Sequence, residues 1–157
     1  WKKHPEWPTL TLLQHKDNAP PEVPRNVNLI TDYISDEEII KLVNEHPIHL
    51  CPSLSEGWGH YIVEAMSCRT TVITTDGPPM NELVQADRGI LVDAPETEPR
   101  HLGTNFKVSH IALEAAIEKA ISMTTEDRDS MQSNARNWML QNHRSFEARF
   151  TDLLSSL

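Results

Sequence analysis

Short apolar runs alternate along this chain with segments in which apolar residues recur every three or four positions. The apolar runs are TLTLLQ, NVNLI, IHLCP, TVITT and GILVD, at residues 9–14, 26–30, 48–52, 71–75 and 89–93. Runs this short and this continuously apolar fit parallel strands that are covered on both faces. The alternation therefore predicts an α/β fold with a parallel sheet flanked by helices.

Helical patterns separate the later runs. The segment SDEEIIKLVNEH opens with a capping box, in which Ser35 would accept a hydrogen bond from the Glu38 amide while the Glu38 carboxylate reaches back. A further helix is predicted at residues 57–68, and a shorter one at residues 79–86 because proline suits a first helical turn.

The pattern changes after Asp93. Residues 94–107 are polar and include two prolines, which predicts a surface loop. From Val108 onward the sequence predicts two or three helices, with a helix start at residues 125–127 and a stop at Asn142.

Composition narrows the class of protein. The 157 residues carry a net charge of −9, with 14 Lys and Arg against 23 Asp and Glu, so no basic excess is available for a nucleic-acid partner. No apolar run reaches the length of a transmembrane helix. We interpret the chain as one domain, 1–157, with a sheet and motif region at 1–93 and a helical tail at 108–157. Its two cysteines, Cys51 and Cys68, are expected to be reduced thiols of a cytosolic protein.

Residues 53–68, SLSEGWGHYIVEAMSC, carry two glutamates around Gly-Trp-Gly. Glu56 follows a strand, and Glu64 lies inside the next helix. If that helix begins at Gly57, its first N–H groups and its dipole favour an anion at this end. Neither GxGxxG nor GxxxxGK[ST] is present, so the standard dinucleotide-binding and P-loop motifs are excluded.

A glycosidase pair is a second interpretation of the two acids. Eight residues of helix rise about 12 Å, whereas hydrolytic carboxylates lie roughly 5 to 9.5 Å apart. A loop position for Glu56 would shorten the distance, but the spacing better suits two ends of one extended ligand. For Glu64 alone, a solvated helix residue is the ordinary structural explanation.

Other polar residues have structural interpretations. Ser53 and Ser55 are interpreted as loop and capping residues, since no G-x-S-x-G elbow is present. His46 and His49 lack partners at metal-site spacing and are interpreted as packing or surface residues. No metal site is predicted.

Residues 52–84, PSLSEGWGHYIVEAMSCRTTVITTDGPPMNELV, resemble the signature of the glycosyl transferases group 1 family, which are retaining, nucleotide-sugar-dependent enzymes of the GT-B fold. The shared elements are Pro52-Ser53, the E-x7-E pair, Gly57-aromatic-Gly59, Glu64-Ala65-Met66, Cys68, Val72-Ile73, Asp76 and Glu82-Leu83-Val84. Flanking segments follow the same order, so the resemblance covers most of the chain up to Asp93.

The resemblance implies a Rossmann-like, C-terminal donor-binding domain with a helical tail. It implies that Glu56 is catalytic and contacts hydroxyls beside the anomeric carbon, and that Glu64 accepts hydrogen bonds from the ribose. Its other donor-binding residues are Gly57, Trp58, Gly59 and His60, facing sugar and diphosphate, and Tyr33, Ile34 and Ser35, bordering the base.

Expectations for the whole protein also depend on the resemblance. The acceptor-binding domain and a basic pair for the diphosphate would precede residue 1, so the chain alone is expected to be incomplete as an enzyme. The expected donor is a UDP-, GDP- or ADP-sugar, with no cofactor, and the acceptor is unknown. We expect a role in carbohydrate metabolism and a cytoplasmic location, with peripheral membrane attachment through the absent domain as the alternative.

The chain departs from the family pattern at two places. Arg69 and Thr71 stand where Gly and Pro are common, and Pro78-Pro79 where Gly-Gly is common. These departures motivate one alternative, a non-catalytic interaction module, against which the intact Glu56 and Glu64 speak. A GT-B-type sugar epimerase or phosphorylase is a further alternative. The resemblance also suggests that Phe146, Phe150 and Leu153 face another domain.

Overall fold

The computed structural model describes residues 1–156. Contacts between Cα atoms divide the chain into two compact units, one of Trp1–Lys41 and one from Leu42 onward. Each unit is described by itself.

The first unit contains a pair of parallel strands, β1 (Leu10–Leu13) and β2 (Val27–Ile30). An aromatic cluster lies at the chain's start, where the buried Trp7 ring stacks on His4 at 4.0 Å and meets Trp1 edge-on at 5.0 Å. Asn26 donates from Nδ2 to the His4 carbonyl at 2.8 Å, which ties this aromatic segment to the start of β2.

Helix α1 (Asp36–Glu45) begins with the predicted capping box. The Glu38 amide donates to Ser35 Oγ at 3.3 Å, and the Ser35 amide and hydroxyl both donate to Glu38 Oε2, at 2.8 and 2.9 Å. The hydrogen bond from the Ser35 amide lowers the pKa of Glu38 most, and the hydrogen bond from the Ser35 hydroxyl lowers it further.

The second unit contains a parallel sheet of three strands in the order β3 (Ile48–Cys51), β4 (Thr71–Thr75) and β5 (Ile90–Val92). The helices are α2 (His60–Ser67), α3 (Met80–Leu83), α4 (His110–Ser122) and α5 (Thr125–Ser155). Every residue of the central strand β4 is buried, as the continuous apolar run predicted. The predicted α/β class, with parallel strands, flanking helices and a helical C-terminal tail, is confirmed.

The core of the second unit joins the sheet to its helices. Ile62 and Met66 of α2 pack with Val72 of β4, Leu83 of α3 and Ala135 of α5. Beside this core the buried Arg88 guanidinium lies 4.8 Å from the centre of the Trp138 ring and donates to the Leu83 carbonyl at 2.8 Å. Apolar packing, together with the contacts of Arg88 to Leu83 and Trp138, thus fixes α2, α3 and α5 around the sheet.

The predicted loop at residues 94–107 is wrong, because this segment forms an antiparallel hairpin of β6 (Glu96–Arg100) and β7 (Gly103–Lys107). Its two-residue turn is His101-Leu102, and His101 has φ 51°, a conformation that Asn or Gly usually supplies. All of β6 is exposed, so no alternation of apolar and polar residues indicates this strand. The turn residues do not indicate a hairpin either.

The predicted stop at Asn142 is also wrong, since α5 has 31 residues and continues past Asn142 to Ser155. Asparagine costs only a fraction of a kcal/mol inside a helix, and no Gly or Pro follows it within α5. In the continuation, the exposed rings of Phe146 and Phe150 stack with centroids 5.7 Å apart. Within residues 1–156, no helix has the length and apolar character needed to cross a lipid bilayer.

Candidate functional site

The turn that precedes α2 determines the backbone geometry of the motif. Helix α2 begins at His60, three residues later than predicted, because Gly59 has the left-handed values φ 92° and ψ 54° and cannot belong to the helix. The amides of Ile62 and Val63 both donate to the Gly59 carbonyl, at 3.0 and 3.3 Å. Within residues 1–156, the amides of His60 and Tyr61 have no backbone acceptor, so they remain donors at this end of the helix.

Glu56 lies in the loop between β3 and α2 and is partly buried. Its Oε1 accepts a hydrogen bond from Ser53 Oγ at 2.7 Å, and Ser53 Oγ in turn contacts the Tyr61 hydroxyl. The loop itself is anchored to the sheet, because Thr75 Oγ1 donates to the Ser53 carbonyl at 2.6 Å. Ser53, predicted to be a loop or capping residue, thus holds a carboxylate.

Glu64 lies one helical turn into α2 and is exposed. Its carboxylate has no hydrogen-bond or ion-pair partner in the part of the chain that the structure describes. Of the stretch between Glu56 and Glu64, only the part from His60 onward is helical. The rise of about 12 Å estimated for eight helical residues therefore does not apply. The loop position of Glu56, which the sequence left open, is the one that the structure has.

Two weak acids near Glu56 are held neutral. Burial, followed by the negative charge of Glu56, raises the pKa of the Cys51 thiol to about 12. Burial also raises the pKa of Tyr61 to about 12; the hydrogen bond with Ser53 opposes this shift, and Cys51 and Glu56 add to it. Cys51 and Cys68 are both free thiols, and Cys51 is too deeply buried to react.

The predicted residues divide between the two units. Gly57, Trp58, Gly59 and His60 join the two acids in the second unit, where Trp58 is 44% exposed and His60 is exposed. Gly57 has no positive φ, and a Cβ there would meet no atom within 4 Å. Of the two glycines, only Gly59 therefore needs the conformational freedom of glycine.

Tyr33, Ile34 and Ser35 belong to the first unit. Tyr33 is 91% exposed and lines a cleft of about 540 Å³ beyond the carboxyl ends of β1 and β2. The cleft is also lined by Leu13, Gln14, His15, Lys16, Thr31 and Asp32. Ser35 does not line it, since its polar atoms cap α1. A position beyond the carboxyl ends of parallel strands is where ligands collect in open α/β sheets.

The fold accommodates the departures from the family pattern. Arg69 has φ 58°, the conformation that a glycine would take without strain, and its Nη2 donates to Ser133 Oγ at 3.0 Å. Thr71 is buried in β4 and its hydroxyl accepts from Gln132 Nε2 at 3.2 Å. Pro78-Pro79 is joined by a cis peptide and leads into α3.

Sequence reasoning missed two residues that act on the motif loop. Tyr61 was treated only as part of the helix, although a tyrosine two residues after the glycine turn could have suggested a hydroxyl near Glu56. Phe106 of β7 donates from its amide to the Leu54 carbonyl at 2.7 Å, and its ring covers Gly77, where a Cβ would lie 2.5 Å from the ring. No sequence pattern joins Phe106 to the motif.

No metal-binding cluster of three or more His, Cys, Asp or Glu side chains occurs within residues 1–156. His46 and His49 instead bond backbone carbonyls of α1, at Leu42 and Val43. Burial is the main cause of the lowered pKa of His49. Both histidines therefore contribute to packing between the end of α1 and the start of β3.

Comparisons with known proteins agree on one family. The family model described as Glycosyl transferases group 1 matches residues 22–138. A curated relative, "Uncharacterized glycosyltransferase 335" of Sulfolobus islandicus rod-shaped virus 1, is 27% identical over 123 residues, which are 75% of this chain and 36% of the relative. The chain thus spans about a third of that relative's length.

Solved structures share the fold. HepE of Anabaena, crystallised with UDP and glucose, has a TM-score of 0.62 and 23% identity, covering 85% of this chain and 33% of HepE. The C-terminal domain of LpcC, a glycosyl transferase group 1 family protein of Francisella tularensis, has a TM-score of 0.57 and 20% identity, covering 76% of this chain and 54% of that crystallised domain. At these identities the likeness establishes the fold.

Proposed function

The chain belongs to the glycosyl transferases group 1 family, and we propose that it supplies the donor-binding part of an enzyme that transfers a sugar from a nucleotide-sugar to an acceptor. The observation that carries the proposal is the pairing of Glu56 with Glu64 around the amino end of α2. One carboxylate is held by Ser53 and the other is exposed and unpartnered within residues 1–156. Between them lie a glycine turn and free helix amides.

Each group has a proposed role that suits its chemistry. The free amides of His60 and Tyr61 are donors for the diphosphate, with the positive end of the helix dipole behind them. Glu64 accepts hydrogen bonds from the ribose hydroxyls, since an ionised carboxylate offers two acceptor oxygens. Glu56 accepts from hydroxyls of the transferred sugar beside its anomeric carbon.

We further propose that transfer retains the anomeric configuration, with the acceptor attacking from the face that the diphosphate leaves. The helix amides would stabilise the negative charge that develops on the leaving diphosphate. In the first unit, the cleft beside Tyr33 is the proposed contact for the base. No step in this scheme requires a metal ion. The acceptor would bind to another part of a longer protein. The exposed Phe146, Phe150 and Leu153 are proposed to face that part.

The proposal is tested by measuring the binding of UDP, GDP and ADP to the full-length protein by ligand-observed NMR and calorimetry. UDP is the first choice, because HepE, which shares the fold, was crystallised with it. One nucleotide should bind, and Glu64→Ala should weaken it roughly 10-fold or more, the usual loss for a hydrogen bond to a charged group. Glu118→Ala, at an exposed glutamate of α4, is the matched control.

The other outcomes separate the alternatives. Absence of binding by all three nucleotides would overturn the proposal and favour an interaction module. Binding that Glu64→Ala leaves unchanged would remove Glu64 from the site. Products of the intact sugar nucleotide then separate transfer from epimerisation or phosphorolysis, since only transfer gives a glycosylated acceptor with the donor's anomeric configuration.

A further inference from the structure

The hydroxyl of Tyr61 ends a short chain of polar groups that leads to the candidate catalytic carboxylate. Tyr61 is the second residue of α2, and its hydroxyl contacts Ser53 Oγ. Ser53 Oγ donates to Glu56 Oε1 at 2.7 Å. A residue of the helix and a residue of the preceding loop thus meet at one serine hydroxyl.

The direction of these hydrogen bonds follows from the number of protons. A serine hydroxyl has one proton, and Ser53 gives it to the Glu56 carboxylate, which can only accept. Tyr61 must therefore donate its own proton to Ser53 Oγ. With a pKa of about 12, raised mainly by burial, the phenol keeps that proton across the neutral pH range.

We propose that Tyr61 is a positioning residue for Glu56, acting through Ser53 to hold Oε1 and leave Oε2 for a hydroxyl of the transferred sugar. This inference rests on the proposed function and goes beyond it in naming the oxygen that the ligand meets. Ser53 Oγ donates to Oε1 and not to Oε2 of Glu56, and a direct side-chain interaction between Tyr61 and the Glu56 carboxylate adds to the raised pKa of Tyr61. A carboxylate held on one oxygen cannot rotate freely, so it is ordered before the ligand arrives.

Because Tyr61 lies in the first turn of α2, its backbone and its side chain both belong to the candidate site. The free amide of Tyr61 belongs to the proposed diphosphate site, and its side chain sets the orientation of the proposed sugar contact. One residue therefore fixes the sugar-binding carboxylate relative to the helix end. Glu64 is exposed and takes no part in the hydrogen bonds that join Tyr61, Ser53 and Glu56.

The test compares two ligands that differ only by the sugar. In the full-length protein, dissociation constants of UDP and UDP-glucose are measured for wild type, Tyr61→Phe, Ser53→Ala and the double variant. Tyr61→Phe keeps the ring and removes one hydroxyl, and retained UDP binding demonstrates a folded site. If UDP does not bind, the GDP and ADP pairs are used in the same way.

Loss of the Tyr61 hydroxyl should weaken UDP-glucose roughly 3- to 10-fold, the range for one neutral hydrogen bond. UDP should change by less than about 2-fold. Because the three groups form one chain, the double variant should be no weaker than Ser53→Ala alone. Ser67→Ala, which removes a hydroxyl at the far end of α2, is the control and should change neither constant.

Other outcomes overturn the inference in distinguishable ways. Equal weakening of both ligands would make Tyr61 a structural residue only. Unchanged UDP-glucose binding in Tyr61→Phe would show that the Tyr61 hydroxyl is not needed to position Glu56. If the wild-type protein binds no nucleoside diphosphate or sugar nucleotide, the proposed function fails first and this inference with it.

Discussion

Glu56 and Glu64 lie eight residues apart in one short stretch, yet the fold supports them by different means. Glu56 is partly buried in a loop and its carboxylate is held by a hydroxyl from the same loop. Glu64 is exposed on a helix, and only the helix backbone and the rotamers of its own side chain determine its position. One acid is pre-positioned by side chains, while the other is free to adjust.

The difference indicates where a ligand would find rigidity. Loop positions reach the required precision only when other groups hold them, whereas a helix supplies precision through its backbone. Three groups hold the Glu56 loop from outside, namely the Tyr61 hydroxyl, the Thr75 hydroxyl and the Phe106 amide. Changes in those supports should therefore affect the Glu56 end and spare the Glu64 end.

The largest effect is expected from Phe106→Ala. The ring is partly buried, covers Gly77 and packs against the core, so its loss should lower the free energy of unfolding by about 2 to 3 kcal/mol, less than a fully buried phenylalanine. Hydrogen exchange should accelerate at residues 53–59 and remain slow in the middle of α2. Chemical denaturation combined with exchange mass spectrometry measures both effects.

The hairpin offers a matched control for that experiment. Leu102, in the turn, is 108% exposed, so Leu102→Ala should change stability by less than about 0.5 kcal/mol. Equal acceleration of exchange in the loop and throughout α2 after Phe106→Ala would contradict the separation between the two ends.

The second effect concerns the glycines that separate the two acids. Gly59→Ala places a Cβ at φ 92°, 3.1 Å from Ile62 Cδ1 and 3.2 Å from Leu83 Cδ1. The backbone strain alone costs about 1 to 2 kcal/mol, and the two contacts add to it. Thermal or urea unfolding should therefore show a loss of about 2 kcal/mol.

Gly57→Ala is the natural comparison, since its Cβ would meet no atom within 4 Å and its φ lies outside the left-handed region. Its free energy of unfolding should remain within about 0.5 kcal/mol of wild type. Similar losses for both variants would mean that the turn geometry, with Gly59 as the residue that ends the loop, is wrong.

The sequence predicted the parts of this region that depend on local patterns. All five apolar runs became strands, and the Ser35–Glu38 capping box formed as expected. The predicted start of α2 was three residues too early, because the sequence does not reveal that Gly59 adopts a left-handed conformation. The burial difference between Glu56 and Glu64 depends on tertiary packing, which no spacing encodes.

The hairpin shows the limit of such reasoning most clearly. Its strands carry polar residues on exposed positions, and Thr97 pairs with Phe106 across a turn without Asn or Gly. The contact from Phe106 to Leu54 joins residues 52 positions apart in the sequence, counted as 106 minus 54. The sequence identifies Glu56 and Glu64 as candidates, but the contacts of Thr75 and Phe106 with the Glu56 loop depend on tertiary structure.

The smallest effect is expected at the far end of α2, where Arg69 follows the helix with φ 58°. Replacement by glycine removes the left-handed strain of about 1 kcal/mol, and the greater freedom of glycine in the unfolded chain offsets part of the gain. Arg69→Gly should therefore raise the free energy of unfolding by about 0.5 kcal/mol, measured by urea denaturation.

Arg69→Ala separates the two contributions, because it removes the hydrogen bond to Ser133 and keeps the strained backbone. The glycine variant should be more stable than the alanine variant by about 1 kcal/mol. If alanine is equally stable, the strain is absent and the arginine is not a costly departure. If glycine is the more stable, this chain retains a strained residue just beyond the helix that carries Glu64.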